Sequence, residues 1–163
     1  MIHIRPAKAN DFKQIWVFFK DIIADAETYA FSPDLTEDDA FQLWMETPLQ
    51  TFVAEENGCI LGTYYIKENQ SGPGGHVANC GYMVSPMSRG KGIATQMCVH
   101  SQEFAVNAGF YAMQFNSVVS TNVGAVRLWQ SLGFSIVGTL PKAYHHKTDG
   151  FVDSYVMYKW LIN

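Results

Sequence analysis

Residues 81–94 place an apolar strand, a glycine-rich turn and a helix start in direct succession, which leaves few possible folds around them. The segment reads GYMVSPMSRGKGIA, with Gly90 and Gly92 on either side of Lys91. The first N–H groups of a helix have no intrahelical partner, and the helix dipole favours an anion beside them. Glycines allow a phosphate to approach the backbone closely, and Arg89 and Lys91 add positive charge. The segment therefore predicts a strand that leads into a helix through an anion-binding turn.

Other phosphate-binding motifs do not fit this turn. The chain has no G-x-x-x-x-G-K-[ST] sequence, which excludes a P-loop, and no G-x-G-x-x-G after a first strand, which argues against a dinucleotide site. An ordinary strand-to-helix turn remains the simplest alternative. The formal net charge is −4, from 15 acidic and 11 basic residues, which argues against nucleic acid and anionic membranes as partners.

The rest of the chain predicts alternating short strands and amphipathic helices in the order β-α-α-β-β-β-α-β-α-β-β. Period-two and apolar runs predict strands at 2–5, 50–56, 59–67, 76–84, 112–119, 134–138 and 151–161. Apolar stripes and capping residues predict helices from 11 to 23, from 36 to 45, from about 91 to 108, and from 122 to 132. The 163 residues form one predicted domain, 1–163, with a mixed, mostly antiparallel sheet covered by helices.

Two sequence motifs within this series of strands and helices resemble those of the GNAT acetyltransferases. Arg89-x-x-Gly92-x-Ala94 resembles the family's pyrophosphate-binding motif, Q/R-x-x-G-x-G/A. Residues 122–134, with the pattern N-x-x-A-x-x-L-W-x-x-x-G-F, resemble a second family segment in which tyrosine stands where this chain has Trp129. The element order matches as well, so the resemblance covers nearly the whole chain. It implies an α/β (α+β) GNAT fold with about seven strands, about four helices and splayed central strands.

The resemblance also implies acetyl-coenzyme A as co-substrate. In the family, pantetheine pairs with the strand edge freed by the splay, here at Met83 and Val84, and the Val84 N–H can stabilise the oxyanion. The implied coenzyme-binding residues are Met83, Val84, Arg89, Gly90, Lys91, Gly92, Ile93, Ala94, Asn122, Ala125 and Trp129.

Two family side chains are absent. Trp129 cannot protonate a leaving thiolate, because indole is a hydrogen-bond donor but not an acid. Either coenzyme A leaves as the thiolate and takes its proton from water, or another group supplies it. Tyr144 and Tyr158 are conceivable substitutes, although core or rim packing is the favoured interpretation of both. The strand 76–84 also lacks the glutamate that many relatives use as a base, and it offers Asn79 instead.

Three asparagines are expected to reach the gap between the splayed strands. Asn79, Asn116 and Asn122 resemble the arrangement in fungal acetyltransferases that act on proline analogues. This resemblance implies that Asn79 and Asn116 contact a substrate carboxylate and that Asn122 contacts the acetyl carbonyl. Capping explains Asn122 as well, because asparagine is a favoured helix N-cap, and a structural role is equally open for Asn79 and Asn116. Asn122, Val84 and Asn116 are the predicted catalytic residues.

The predicted acceptor site also includes aromatic side chains. They are Tyr82 on the central strand, Tyr29 and Phe31 in the segment 27–31, and Tyr144 in the segment 141–146. Both segments read as loops that could cover a small substrate. Plain hydrophobic packing explains Phe31 equally well. Lys142 or His146 could alternatively bind a substrate carboxylate, although an exposed charge with no role is the default interpretation.

The predicted function is direct acetyl transfer to the amine of a small molecule, an amino acid or an analogue of one. The alternatives are acetylation of a protein N-terminus or lysine, and non-catalytic sensing of acyl-coenzyme A.

No metal is expected, because the histidines and cysteines lack ligand spacing. The residues 1–6 do not read as a secretory signal, and no apolar run could cross a bilayer, so a cytoplasmic location with reduced, buried cysteines is expected. A homodimer is expected from the family.

Overall fold

The computed structural model describes all 163 residues, in the predicted order of strands and helices. The strands are β1 His3–Pro6, β2 Gln50–Glu56, β3 Cys59–Glu68, β4 Val77–Val84, β5 Ala112–Val119, β6 Ser135–His146 and β7 Gly150–Trp160. The helices are α1 Phe12–Asp25, α2 Glu37–Phe41, α3 Ile93–Asn107 and α4 Val123–Ser131. A π-helical turn, Gln42–Glu46, continues α2. None of the helices is both long and apolar enough to span a lipid bilayer.

The seven strands form one sheet in the order β1-β2-β3-β4-β5-β7-β6. Every neighbouring pair is antiparallel except β4 and β5, which run parallel because α3 connects them across one face. The predicted GNAT fold, a mixed and mostly antiparallel sheet with four helices, is confirmed.

Helices cover both faces of the sheet and divide the core in two. On one face α1 buries its apolar stripe, including Ile15 and Phe19, against Trp44 and Met83. On the other face α3 and α4 bury Met97 and Trp129 against the side chains of β3, β4 and β5. These two layers are called the α1 face and the α3 face below.

The last hairpin differs from the prediction. The segment 141–146, predicted as a loop, is the second half of β6 and pairs with β7 up to His146 and Gly150. A bulge between Leu140 and Tyr144 interrupts the pairing, and Lys142 within it has a φ of 51°. Proline and left-handed residues are tolerated at edge-strand bulges, so Pro141 and Lys142 do not end the strand as the sequence suggested.

Two smaller predictions also need correction. Helix α3 begins at Ile93 rather than near Lys91, because Gly92 is left-handed with a φ of 73° and serves as the N-cap. Cys59 is exposed, whereas Cys80 and Cys98 are buried as expected. Burial raises the pKa of both the Cys80 and the Cys98 thiol, which keeps these two side chains protonated.

Candidate active site

The centre of the sheet contains a wedge-shaped gap between β4 and β5. The two strands pair only from Val77 opposite Ala112 to Asn79 opposite Gln114. Residues 80–84 of β4 and 115–119 of β5 have no partner on that side, although β3 and β7 still pair with their outer edges. The strands therefore splay apart, as the resemblance implied.

Backbone alternation shows which groups of β4 face this gap. The Asn69 N–H donates to the Val77 carbonyl and the Ser85 N–H donates to the Leu61 carbonyl, both over 2.8 Å, so odd-numbered residues of β4 bond to β3. Successive residues of a strand direct their N–H and C=O groups to opposite sides. Tyr82 and Val84 therefore direct theirs into the gap, where the Val84 N–H has no strand to pair with.

Asn79 lies at the apex of the gap and joins three strands. Its side chain is 5% exposed, and its amide nitrogen donates to the Gln114 carbonyl on β5 over 3.0 Å. Its amide oxygen accepts a hydrogen bond from the Tyr65 hydroxyl on β3 over 3.1 Å. Burial raises the pKa of Tyr65 to about 12, so the phenol remains a donor. Asn79 thus holds the strands together where the splay begins, and one amide N–H remains for a ligand.

Asn116 lies on the other side of the gap, at a bulge in β5. The register between β5 and β7 shifts between Phe115 and Val118, which leaves Asn116 exposed. Its amide oxygen accepts from Gln114 over 2.9 Å, and its amide nitrogen donates to Asn69 over 2.7 Å. One amide N–H and one lone pair of Asn116 therefore remain for a substrate.

Asn122 combines a capping role with a free donor. As N-cap of α4 its amide oxygen accepts from the Ala125 N–H over 3.4 Å. This bond orients the amide, and the amide nitrogen has no partner within the protein. Asn122 lines the cavity described below, so its two amide N–H groups are available there.

The turn before α3 has the geometry predicted for an anion site. Arg89 is extended, and Gly90 and Gly92 have φ values of 78° and 73°. The first helical hydrogen bond of α3 runs from the Gln96 N–H to the Gly92 carbonyl, so the N–H groups of residues 93–95 are free. Arg89 and Lys91 are exposed and form no ion pair with a carboxylate.

Aromatic side chains line the gap on the α3 face. Trp129 is 8% exposed and packs on the rings of Tyr82 and Phe115, with centroids 5.0 and 5.2 Å away. The Tyr82 hydroxyl hydrogen-bonds to the Ser101 side chain over 2.6 Å. The Tyr82 side chain therefore lies on the α3 face, on the opposite side of the sheet from the aromatic segment 27–31 that was predicted to hold the acceptor, while its backbone carbonyl points into the gap.

The α1 face of the gap is covered by the segment 27–31. Tyr29 and Phe31 stack with centroids 5.5 Å apart, and the Tyr29 hydroxyl donates to the Tyr82 carbonyl over 2.7 Å. The Tyr144 hydroxyl donates to the Tyr29 carbonyl over 2.9 Å, and the Lys147 N–H donates to the Ala26 carbonyl over 3.1 Å. The end of the β6–β7 hairpin therefore holds this segment in place.

One cavity of about 710 Å³ passes through the gap and reaches both faces. It is lined on the α3 face by Arg89, Ala94, Asn122 and Trp129, and on the α1 face by Tyr29, Phe31, Asn79 and Asn116. Tyr144, Tyr158 and Lys142 do not line it, whereas His146 does. No group of three or more His, Cys, Asp or Glu side chains is placed to hold a metal ion.

Two lining residues, Tyr65 and Lys67, were missed in the sequence. The Lys67 ammonium lies 5.5 Å from the centre of the Tyr65 ring and forms no ion pair. Strand alternation could have found both, because they share with Asn79 the side of the sheet that faces α1.

The Acetyltransferase (GNAT) family matches residues 16–134, which is more than half of the chain. The chain belongs to this family. A GCN5-related N-acetyltransferase from Kribbella flavida has the same GNAT fold, with a TM-score of 0.94, 43% identity and 98% of both chains covered. An N-acetyltransferase from Staphylococcus aureus superposes with a TM-score of 0.87 at 27% identity over 99% of both chains.

A curated GNAT relative is similar over part of its length. The chain is 39% identical to N-acetyltransferase aca1 from Schizosaccharomyces pombe over 98 residues, which are 60% of this chain and 47% of aca1. The chain therefore spans about half the length of this relative. A phosphinothricin acetyltransferase from Sinorhizobium meliloti, solved with acetyl-coenzyme A, shares the fold with a TM-score of 0.84 over 98% of this chain and 88% of its own, at 21% identity.

Proposed function

We propose that this GNAT protein transfers the acetyl group of acetyl-coenzyme A to the amine of a small molecule, an amino acid or an analogue of one. The observation that carries the proposal is the single cavity through the sheet. It connects a turn with free N–H groups on the α3 face to a covered aromatic pocket on the α1 face. A thioester and an amine can therefore meet in the gap for direct attack in a ternary complex.

The turn at residues 89–94 supports coenzyme binding. Three free N–H groups, two left-handed glycines and two unpaired cations match what a pyrophosphate needs. The unpaired edge of β4 at Met83 and Val84 can pair with pantetheine amides as a strand would. Ala125 and Trp129 then form the wall beside the pantetheine.

The chemistry proposed for the gap depends on positioning and oxyanion stabilisation. The Val84 N–H faces the gap and can donate to the oxyanion, a contribution worth about 3 kcal/mol of barrier. The amide nitrogen of Asn122 is the proposed second donor to the thioester carbonyl. Tyr144 and Tyr158 lie outside the cavity, and Trp129 is not an acid, so the thiolate takes its proton from solvent. Positioning alone supplies about 7–11 kcal/mol in well-oriented systems.

The covered pocket supports a small acceptor with a carboxylate. Lys67 is a cation without a partner, and Asn79 retains one amide N–H. Asn116 can contribute its second amide N–H, since only one of the two is bonded to Asn69. The hydrogen bonds from Tyr144 and Lys147 close the segment 27–31 over this half of the cavity, which favours a small molecule over a protein terminus or lysine.

A thiol-release assay tests this function. The protein and acetyl-coenzyme A are mixed with a panel of the common amino acids, proline analogues, ethanolamine and putrescine, and free coenzyme A is measured. We expect release with at least one amino acid or analogue and a product that carries an N-acetyl group by mass spectrometry. If the protein binds acetyl-coenzyme A but releases no coenzyme A with any compound of the panel, a sensor is supported instead. If coenzyme A is released only when peptides are supplied in place of the panel, protein acetylation is supported.

A further inference from the structure

The Tyr29 hydroxyl reaches a backbone group that a coenzyme or an acceptor would otherwise contact. It donates over 2.7 Å to the Tyr82 carbonyl, which faces the unpaired side of β4. Tyr29 also lines the cavity, so its phenolic oxygen lies at the edge of the gap on the α1 face. No group of the protein donates a hydrogen bond to this oxygen.

The Tyr29 oxygen can only accept further hydrogen bonds. A phenol has one O–H donor and two lone pairs, and the Tyr29 proton is already given to the Tyr82 carbonyl. Burial and the neighbouring Tyr65 raise the pKa of Tyr29 well above its ordinary value, so the oxygen does not become a phenolate base. The oxygen therefore recognises an N–H or O–H donor.

Tyr29 contacts β4 at a point where its oxygen can meet an attacking amine. The Tyr29 oxygen lies 2.7 Å from the Tyr82 carbonyl, and the Val84 N–H is the next group along the same edge of β4, within one two-residue repeat of about 6.6 Å. Two hydrogen bonds of about 2.9 Å, one to each end of a tetrahedral centre, can span that separation. An oxyanion at the Val84 N–H would thus place the amine nitrogen near Tyr29.

Given the proposed acetyl transfer, we infer that Tyr29 is a catalytic residue that holds the acceptor amine by accepting one of its N–H bonds. An amine nitrogen bound through its N–H keeps its lone pair free for attack, whereas a donor at this point would occupy that lone pair. The substrate class is a neutral primary or secondary amine. The nitrogen bonds to the acetyl carbon as the C–S bond breaks, coenzyme A leaves as the thiolate, and the proton that the nitrogen gives up passes to solvent rather than to Tyr29.

A glycine on β4 makes room for this arrangement. A Cβ on Gly81 would lie 2.6 Å from a ring carbon of Tyr65 and 3.1 Å from the Tyr29 hydroxyl oxygen. The φ of Gly81 is not left-handed, so alanine brings no backbone strain there. Gly81→Ala is therefore expected to displace the Tyr65 ring first and to shift the Tyr29 hydroxyl by a few tenths of an ångström, without breaking the strand.

Tyr29→Phe is the direct test, with the most active amine of the panel as acceptor. We expect the kcat/KM for the amine to fall about ten- to a hundredfold, while the affinity for acetyl-coenzyme A stays unchanged and the loss of the hydrogen bond to the Tyr82 carbonyl lowers the melting temperature by no more than about 2–4 °C. The pH profile of kcat/KM should keep its shape, because the phenol does not titrate in the working range. Gly81→Ala should reduce the kcat/KM for the amine in the same direction, and Tyr111→Phe, an exposed tyrosine outside the cavity, should change nothing.

Three results would overturn the inference. An unchanged kcat/KM would leave Tyr29 without a role, and a lost limb of the pH profile would make it an acid or base. A parallel loss of coenzyme affinity would make it a structural support of the gap.

A second experiment tests amine binding if the native protein releases no coenzyme A with any amine. The thermal shift of the coenzyme A-loaded protein is then measured with each amine of the panel. An amine that stabilises the native protein but not Tyr29→Phe supports the inference, and no such difference refutes it.

Discussion

Asn122 can act in two ways through the two ends of one amide. Its oxygen caps α4, and its nitrogen is free in the cavity. Asn122→Asp separates these roles, because aspartate is an equally good cap but has no N–H and adds a negative charge beside the oxyanion. We expect turnover to fall about 10²- to 10³-fold with the melting temperature unchanged, the usual effect of losing one oxyanion donor.

The matched variant Asn122→Ala should lose both the cap and the donor. It should therefore show the same fall in turnover and, in addition, a loss of about 1 kcal/mol in the free energy of unfolding. Steady-state kinetics and chemical denaturation measure the two effects. Full activity in Asn122→Asp would leave capping as the only role of Asn122.

Trp129 is expected to act as a wall rather than as a proton donor. It is buried among Tyr82 and Phe115, and its indole nitrogen has no partner within the protein. Trp129→Phe keeps an aromatic surface, so we expect turnover to stay within about threefold, because indole supplies no acid whose loss would slow the reaction. A much larger fall, with coenzyme affinity intact, would show that the indole N–H acts on the reacting groups.

At these positions the sequence identified which residues reach the cavity, but not which groups they bond to. The positions of Asn79 on one strand and of Asn116 and Asn122 on either side of the next strand-to-helix corner predicted that they reach one gap, and all three line the cavity there. It could not show that Asn79 and Asn116 are already bonded to Gln114 and Asn69, because those partners depend on strand register. The direction of the Tyr82 side chain likewise depends on which face of the sheet carries α3.

At the scale of elements, the turn before α3 is the most informative part of the coenzyme site. A Cβ on Gly92 would meet nothing within 4 Å, but its φ of 73° is unfavourable for other residues. Gly92→Val should therefore strain the turn, with a cost of order 1–3 kcal/mol, and place a side chain where a phosphate must approach. We expect acetyl-coenzyme A binding to be lost in calorimetry.

Gly109→Val is the control for this prediction. Gly109 is also left-handed, with a φ of 93° and open space around it, but it lies after α3 and outside the cavity. It should show a similar loss of stability and normal coenzyme binding. Binding that survives in Gly92→Val would contradict the assignment of the turn to pyrophosphate.

Element order was predictable from periodicity, whereas the length of β6 was not. Helices α1 and α4 have clear apolar stripes, and the Asn57-Gly58 turn marks the β2–β3 hairpin. The second half of β6 contains Pro141 and a left-handed Lys142, which read locally as loop residues. Pairing with β7 on one side only overrides those local preferences, and single-sequence patterns do not contain that information.

At the scale of the whole molecule, the two ends of the sheet differ. The β1 end is a strand of 4 residues with Pro6 at its close, whereas β6 is a strand of 12 residues with exposed Ile136, Val137 and Leu140. A long edge strand presents unpaired N–H and C=O groups that can pair with another chain. We propose that the expected homodimer forms through β6, with its Ser135–Leu140 part antiparallel to the same part of a second copy.

Light scattering on the purified protein tests this assembly. We expect twice the 18.3 kDa chain mass at micromolar concentration, because pairing of the edges satisfies the backbone and buries the exposed apolar side chains. Val137→Lys should give a monomer, since Val137 is 60% exposed in one chain and a charge there would be placed in the interface. Val17→Lys, at an equally exposed position on α1, should remain dimeric. Pairing through β6 would be refuted by a native protein that is monomeric, by a dimer that survives Val137→Lys, or by a dimer that dissociates with Val17→Lys as well.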